Sequence, residues 1–344
     1  KIINHKTPYL IAEIGINHNG NLNLAKKMVI SAKKNGADCV KFQLFKSNEY
    51  ISVYADKAGY QKQYKNFKNF SQYEIIKKCE FQFKDIIKLK NFCTKINVDF
   101  LCTPFEISSL RELVKLKVKA IKISSCNLTN TIFLKEVLRT KLPVILSTGM
   151  ANIQEVKRAV KIFKNKTDLI ILQCTSNYPS KIENSNLNVL GTYKKIFKTP
   201  VGFSDHTEGN FAACIAVAKG AILVEKHFTL SKKLPGIDQK ASIEPNEMLN
   251  LKKKLLDTKK ILGSNYKTLS KEENQTVKSL RRSLVASKNL SKGSRIDKSD
   301  IMIKRPGTGL SPSQINKIVG LKLTKSKRKD EIFKTQDFGK NKKL

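Results

Sequence analysis

Short apolar runs rich in Ile, Val and Leu recur along the first 262 residues, and each is followed by a polar turn. Continuous apolar runs of this length indicate strands that are buried on both faces, as in a parallel sheet. Eight runs are present, at residues 9–14, 39–42, 99–101, 120–123, 144–146, 169–172, 200–203 and 221–225. Amphipathic stretches of helical length lie between most of them, for example at residues 24–34, 108–117, 153–163 and 210–219.

Eight strand–helix units in one segment match the size and count of a TIM (β/α)8 barrel. A doubly wound open sheet is the alternative, but the Gly-rich dinucleotide fingerprint is missing after the first apolar run. We therefore predict an α/β fold with a TIM barrel over residues 1–262. The longest segment that interrupts this strand–helix pattern, residues 45–72, follows the second run. It is expected on the active-site face of the barrel.

The pattern changes after Gly263. Residues 263–279 are polar and typical of a linker, and residues 280–344 show short alternating runs broken by turns. Such runs indicate a small β-rich domain, whose size is marginal for independent stability. We expect it to pack on the barrel or on a second subunit.

Polar residues follow the apolar runs where the predicted strands end, and in a TIM barrel the chemistry lies at that rim. Two lysines among several hydroxyls suit a phosphorylated anion, because lysine supplies charge while hydroxyls and backbone N–H groups bond the oxygens. Taken singly, each Ser or Thr is more simply a turn residue; the whole set favours a site. The rim residues are Glu13, Lys41, Gln43, Thr103, Lys122, Ser124, Ser125, Ser147, Thr148, Gln173, Cys174, Thr175, Ser176, Ser204, Asp205, His206, Glu225, Lys226 and His227.

Two of the four histidines, His206 and His227, follow adjacent predicted strands. Together they could bind one divalent ion, since imidazole suits Mn, Fe, Co or Zn and two ligands leave positions open for water and substrate. The alternative is that each histidine caps its strand by hydrogen bonding. The spacing alone favours neither interpretation.

The formal net charge of +38 is carried mainly by lysine, which supplies 58 of the 66 cationic residues. Nucleic-acid binding is the first function class that such a charge suggests. Dedicated binders depend on arginine for base and bidentate phosphate contacts, whereas these lysines are spread along the whole chain. We therefore interpret them as a solvated coat and keep a basic nucleic-acid-binding protein only as a remote alternative.

The seven cysteines include no CxxC pair. An odd number without metal-ligand spacing favours a reducing, cytoplasmic location over a disulfide scaffold or a zinc ribbon. No apolar run approaches the roughly 20 residues that span a bilayer, and no signal-peptide pattern is present at the start. We expect no membrane partner.

Six rim motifs resemble the sialic acid (N-acetylneuraminate) synthase family, which includes the legionaminate and pseudaminate synthases. They are residues 11–20 (IAEIGINHNG), 41–43 (KFQ), 102–105 (CTPF), 146–150 (LSTGM), 203–207 (FSDHT) and 225–229 (EKHFT). A seventh motif, residues 303–309 (IKRPGTG), resembles the C-terminal antifreeze-like (SAF) domain of this family. The resemblance implies a TIM barrel followed by a SAF domain of the β-clip type, in a domain-swapped homodimer.

The resemblance also implies a transferase that condenses phosphoenolpyruvate with N-acetylmannosamine, or a close analogue, to N-acetylneuraminate and phosphate. It implies a divalent metal, Mn²⁺, held by His206 and His227, and a catalytic role for both histidines and Glu13. By motif position the phosphoenolpyruvate contacts would be Lys41, Thr103, Lys122, Ser125, Ser147, Ser176 and Ser204. The sugar contacts would be Gln43, Tyr178, Asp238 and Arg305, the last reaching in from the partner subunit.

Two features leave alternatives open. Residues 58–63 and 71–74 also resemble legionaminate synthases, which use 2,4-diacetamido-2,4,6-trideoxymannose, and residues 45–72 are the expected acceptor selector; pseudaminate synthases match less well. Asn127 stands where many family members carry a carboxylate, and an amide cannot act as a general base. A further hypothesis is therefore a scaffold that binds metal and phosphoenolpyruvate without turnover. Ser176 replaces an Asn of some members, but its hydroxyl can still bond phosphate.

Overall fold

The computed structural model describes residues 7–57, 59 and 69–339, and the chain divides into two compact units after Gly263. The described part of the first unit contains eight strands: β1 (Tyr9–Gly15), β2 (Cys39–Leu44), β3 (Asp99–Pro104), β4 (Ile121–Ile123), β5 (Val144–Ser147), β6 (Leu169–Cys174), β7 (Val201–Asp205) and β8 (Leu223–His227). Their hydrogen-bonded order is β3-β2-β1-β8-β7-β6-β5-β4, with β3 and β4 as neighbours across the seam. All pairings are parallel, which confirms the predicted TIM barrel.

Helices connect the strands and cover the outside of the barrel. They are α1 (Leu22–Lys34), α2 (Ser47–Tyr50), α3 (Gln72–Cys79), α4 (Phe83–Lys95), α5 (Ile107–Lys115), α6 (Thr131–Arg139), α7 (Ile153–Phe163), α8 (Val189–Phe197), α9 (Phe211–Ala218) and α10 (Pro245–Leu262). Helix α7 shows why they form: Asn152 and Glu155 build a reciprocal capping box at its start. Its buried residues, from Val156 to Phe163, follow helical spacing and face the sheet. No helix in the described part of the chain is long and apolar enough to cross a bilayer.

The barrel core has two layers that follow from the alternation of side chains along each strand. On β1, Tyr9 and Ile11 lie in a cluster inside the barrel with Leu172 and Leu223, whereas Leu10 packs outward against the helices. The interior cluster fills the amino-terminal half of the barrel. The carboxyl-terminal half is therefore left to the next inward-facing residues, which are polar.

The strands extend further than the apolar runs predicted. The run at 200–203 belongs to a strand that continues to Asp205, and the run at 39–42 to one that continues to Leu44. The ladder continues through these residues because their polar side chains have partners inside the protein: Gln43 bonds Glu13, Ser204 bonds Glu225 and Asp205 bonds Lys226. The apolar pattern ends before the strand does.

The second unit differs from the predicted linker at residues 263–279, since α11 (Lys271–Leu280) occupies much of that segment. Ser270 and Glu273 cap it reciprocally, but none of its residues is buried, so it has no apolar stripe to reveal it. The antiparallel pair β9 (Ser283–Ala286) and β10 (Ile301–Lys304) follows, with a short helix α12 (Ile315–Ile318). A separate apolar core, including Leu284, Ile318 and Phe333, holds this unit together.

Candidate active site

Side chains alternate between the two faces of each strand, and this alternation directs many of the predicted rim residues toward the inside of the barrel. Two positions beyond the interior residue Ile11 lies Glu13; on β8 the same step leads from Leu223 to Glu225 and then to His227. The residues between them face outward, and there Lys226 donates to Asp205 at 2.7 Å in a buried pair of its own. Of the two adjacent charged residues on β8, Glu225 therefore faces the site and Lys226 faces away from it.

Two lysines and two glutamates form the floor of the site, which we call the lysine floor: Glu13, Lys41, Lys122 and Glu225. The Lys41 ammonium lies 2.9 Å from the Glu13 carboxylate and 3.5 Å from that of Glu225. Lys122 lies 3.5 Å from the same Glu225 oxygen. All four residues are buried, so Glu225 holds two cations together by charge.

The pKa values of the four floor residues shift in different directions. Burial opposes the charge of Lys41, yet the carboxylates of Glu13 and Glu225 raise its pKa to about 12. At Lys122 burial prevails over the attraction of Glu225, and the pKa is lowered. Burial raises the pKa of Glu13 against the pull of Lys41. At Glu225 burial is outweighed by Lys122 and Lys41, and its pKa is lowered. Glu13 is therefore the carboxyl of the floor that is suited to carry a proton.

Hydroxyl groups surround the floor and orient it. The Lys122 ammonium donates to Ser147 Oγ at 2.7 Å, and Lys41 donates to Thr103 Oγ1 at 3.2 Å. Ser204 donates to Glu225 at 3.2 Å. These bonds use the hydroxyls as supports for the charges, and they place the lysine heads where an anion can reach them.

A glycine turn after β5 places two further predicted hydroxyls. The Gly149 N–H donates to Ser125 Oγ at 2.9 Å. A Cβ atom at position 149 would collide with Ser176 Oγ and would lie 2.9 Å from Ser125 Oγ. The missing side chain thus lets both serines approach the backbone, where hydroxyls and an N–H group form a lining suited to phosphate oxygens.

The two predicted metal ligands, His206 and His227, lie close together beside the floor. The rings of His206 and His227 have centroids 5.4 Å apart, and the Tyr178 ring lies 4.1 Å from that of His206. His206 Nδ1 lies 2.7 Å from the Thr175 carbonyl oxygen. Since a carbonyl can only accept, Nδ1 carries the proton and Nε2 of a neutral ring keeps its lone pair.

The donor set fits a divalent ion with open positions. His227 Nδ1 is buried without a hydrogen-bond partner in the described structure, and Asp238 Oδ2 lies 3.8 Å from it. Burial holds the pKa of His227 well below its usual range, so the ring is neutral, as a ligand must be. Within residues 7–57, 59 and 69–339, no three His, Cys, Asp or Glu side chains converge as a complete metal site. His206 and His227 would supply two imidazoles to an ion, which leaves other positions for water and substrate.

These groups surround one cavity of about 430 Å³. It brings together most residues predicted from the sequence, from both the anion-binding and the sugar-binding sets. The predicted residues in its lining are Glu13, Lys41, Gln43, Lys122, Ser125, Ser147, Ser176, Tyr178, Ser204, His206, His227 and Asp238. Gln43 is fixed by donating to Glu13 Oε1 at 2.9 Å.

Three residues singled out from the sequence lie elsewhere. Thr103 is fully buried behind Lys41 and supports it. Asn127 lies in a neighbouring pocket and donates to the Phe105 carbonyl at 3.0 Å, so its amide braces a loop. Arg305 is an exposed residue of the second unit, directly after β10, and its role at the sugar stays a prediction. Much of the predicted selector, at residues 58 and 60–68, lies outside the described residues.

Sequence reasoning placed Glu225 at the rim but gave it no role, although it pairs with both floor lysines. The signal that identifies it is its position, two residues before His227 on the same strand. Four apolar lining residues were also missed: Ile16, Ile76, Phe105 and Ile237. They lie on loops and on α3, where no strand periodicity points to the cavity.

Comparison with known proteins gives the same picture. The family model described as the NeuB family matches residues 28–267, and the SAF domain model matches residues 281–339. The N,N'-diacetyllegionaminic acid synthase of Legionella pneumophila is 41% identical over 324 residues, covering 92% of this chain and 91% of that protein. The enzyme of the same name from Campylobacter jejuni is 39% identical over 333 residues, covering 96% and 99%.

A solved structure shows the likeness in three dimensions. The N-acetylneuraminic acid (sialic acid) synthetase of Leptospira borgpetersenii superposes with a TM-score of 0.70 at 34% identity, covering 79% of this chain and 90% of that chain. The barrel, the rim motifs and the two matching models agree along nearly the whole sequence. The chain belongs to the NeuB family of nonulosonic acid synthases and carries a C-terminal SAF domain.

Proposed function

We propose that this protein condenses phosphoenolpyruvate with 2,4-diacetamido-2,4,6-trideoxymannose to give N,N'-diacetyllegionaminic acid and phosphate. The observation that carries this proposal is the identity of 41% and 39% to two synthases named for that product, over more than nine-tenths of the chain. The sequence motifs gave N-acetylmannosamine as the first acceptor and the diacetamido sugar as the alternative; the comparisons favour the alternative. N-acetylmannosamine stays the second candidate because of the 34% identity to a sialic acid synthetase.

The lysine floor supports phosphoenolpyruvate as the first substrate. Lys41, with its pKa raised to about 12, stays cationic at any physiological pH. Lys122 is oriented by Ser147, and both ammonium groups are in place before an anion arrives. Charges fixed in a buried site stabilise an anion without reorganisation during the reaction. Ser125, Ser176 and Ser204 line the same cavity and would bond the phosphate and carboxylate oxygens.

Glu13 supports the proton transfer that the condensation requires. In the proposed reaction, C3 of phosphoenolpyruvate bonds to the aldehyde carbon of the open-chain sugar, and the aldehyde oxygen takes a proton. Water then adds at C2, and the C2–O bond to phosphate breaks as the added oxygen becomes the 2-keto group. One proton of the water replaces the one given to the aldehyde oxygen, and the other leaves with phosphate. A buried carboxyl with a raised pKa can hold a proton for the aldehyde oxygen. Gln43 donates to the Glu13 carboxyl oxygen Oε1 at 2.9 Å and fixes its direction.

We propose that His206 and His227 hold the divalent ion, for which Mn²⁺ is the expected metal. When bound, such an ion supplies Lewis-acid polarisation of a carbonyl oxygen. The protein's own part is to orient both rings and, by burial, to keep His227 neutral. At His206 burial is outweighed by the nearby Cys174 thiol and the pKa is raised, so an ion would compete with a proton for that ring. His206 is oriented by its bond to Thr175, and both rings are packed edge-on or tilted against Tyr178. The domain-swapped dimer, with Arg305 completing the sugar site, belongs to the same proposal and follows from the family resemblance.

The experiment supplies phosphoenolpyruvate and Mn²⁺ with each of the two sugars in parallel, then measures phosphate and identifies the product by mass. We expect a nine-carbon diacetamido 2-keto acid and an equal amount of phosphate from the diacetamido sugar. Lys122→Met should abolish both, whereas the exposed Lys219→Met should not. Phosphate release from neither sugar would contradict the synthase proposal. Product from N-acetylmannosamine alone would overturn the choice of acceptor.

A further inference from the structure

One side of the cavity is apolar, although the floor is charged. Ile16, Ile76, Phe105 and Ile237 line it, and we call these four residues the apolar wall. The three isoleucines are 5%, 8% and 3% exposed and belong to one hydrophobic cluster, on which Phe105 packs. The wall is therefore one continuous surface, contributed by the segments after β1, β3 and β8 and by α3.

Hydrogen bonds beside the wall keep it in place. Gln239 donates to the backbone oxygen of Asn17 at 2.8 Å, and Asn17 donates to Ser242 Oγ at 2.8 Å. These bonds join the residue after Ile16 to the segment that carries Ile237. Helix α3, which carries Ile76, is fixed at its start by the reciprocal capping box of Ser71 and Glu74. The bonds of Asn17 and Gln239 therefore hold the part of the wall that carries Ile16 and Ile237 in place, and the capping box stabilises the helix that carries Ile76.

The wall adjoins the residues assigned to the sugar. Ile237 directly precedes Asp238. Ile16 follows Gly15, where an added Cβ atom would lie 3.1 Å from Glu13 Oε1 and 3.2 Å from Gln43 Nε2. On α3, Gln72 also lines the cavity, one helical turn before Ile76 and on the same face. The helix thus presents an amide and an alkyl group at neighbouring positions. An acetamido group beside a methyl group matches that pair, whereas a hydroxyl group against Ile76 does not.

We propose that the apolar wall, with Ile76 at its centre, selects acceptor sugars that carry a methyl group at C6, while Gln72 bonds the neighbouring acetamido group. This inference rests on the proposed function and names the part of the site that chooses the acceptor. A C6 hydroxyl against the wall would lose its bonds to water without a replacement. Apolar pockets discriminate against an added hydroxyl by roughly tenfold to a hundredfold.

The test compares N-acetylmannosamine with its 6-deoxy analogue, because these two sugars differ only at C6. For each, kcat/KM is measured at saturating phosphoenolpyruvate for the wild type, for Ile76→Thr and for Ile75→Thr. Ile75 is the matched control, since it is buried in the same cluster on the same helix but does not line the cavity. We expect the wild type to prefer the 6-deoxy sugar at least tenfold. Ile76→Thr should remove most of that preference, and Ile75→Thr and Ile76→Val should keep it.

The outcomes separate this inference from the proposed function. If the wild type forms product but shows no preference at C6, or if Ile76→Thr keeps the full preference, the wall does not select the acceptor. If Ile76→Thr does not fold, Ile237→Thr carries the same comparison from another element. If the wild type forms no product from these sugars or from the diacetamido sugar, the proposed function itself fails.

Discussion

Replacing Glu225 tests whether its carboxylate stabilises the two buried lysines of the floor. Its carboxylate lies 3.5 Å from Lys41 and 3.5 Å from Lys122, and it accepts a bond from Ser204. The change Glu225→Gln keeps the shape and the acceptor oxygen but removes the charge. Glu13, which pairs with Lys41, is then the remaining carboxyl group of the floor beside two buried ammonium groups.

The expected magnitude follows from these distances. At an effective dielectric constant of about 20, a pair of unit charges 3.5 Å apart interacts by about 5 kcal/mol. Removing one partner of a buried ion pair costs about 3–5 kcal/mol after the desolvation of the charges is counted. We expect the free energy of unfolding of the barrel to fall by an amount in that range. Phosphoenolpyruvate should restore part of it, because its anionic groups replace the lost carboxylate.

The assay is urea unfolding with and without saturating phosphoenolpyruvate, followed by far-ultraviolet circular dichroism because the chain contains no tryptophan. The matched control is Glu208→Gln, which removes an exposed charge near the same rim. It should change stability by less than about 0.5 kcal/mol. If Glu225→Gln is as stable as the wild type without ligand, or if phosphoenolpyruvate stabilises both proteins equally, the ion-paired floor does not hold the lysines as argued.

Three further predictions address the glycine turn, the histidines and the second unit. Gly149→Ala should lower kcat/KM for phosphoenolpyruvate about tenfold or more, because its Cβ displaces Ser176; Gly191→Ala, whose Cβ meets open space, should not. His206→Ala and His227→Ala should each abolish metal-dependent phosphate release, and full activity in either would refute the metal assignment. Burial acts to raise the pKa of Asp337, but the bond from Lys327 outweighs it and the pKa is lowered. The resulting stability is present above the unfolded pKa of about 4 and is lost as pH falls through the folded pKa. Asp337→Asn should lower the stability of the second unit at neutral pH and remove this acid dependence in urea unfolding at pH 2 to 6.

The sequence predicts the barrel well because each of its strands is buried on both faces. A strand such as β6 (Leu169–Cys174) must then be apolar through most of its length, which leaves a run that is visible without a structure. The rim is predictable for the same reason, since the residues that end each run are those that reach the carboxyl edge. Lys41, Lys122 and the two histidines converge as the alternation along their strands requires.

The parts that were missed depend on register or on packing between distant segments. Glu225 and Lys226 are adjacent charges, and Glu225 enters the barrel because it shares the inward face of β8 with His227. The pairing of β8 with β1 and β7 fixes that face. Ile16 and Ile237 meet through bonds made by Asn17 and Gln239, which no local pattern reveals. The sequence predicts a linker where helix α11 forms, because the capping signal of this helix lies in a segment without buried residues.

The most direct test of the central claim is the ratio of kcat/KM for the diacetamido trideoxy sugar to that for N-acetylmannosamine, measured on the same enzyme preparation at saturating phosphoenolpyruvate and Mn²⁺. We expect a ratio well above ten, because the apolar wall and Gln72 match the deoxy and acetamido positions of the first sugar. A ratio at or below one, with phosphate released from N-acetylmannosamine, would contradict it.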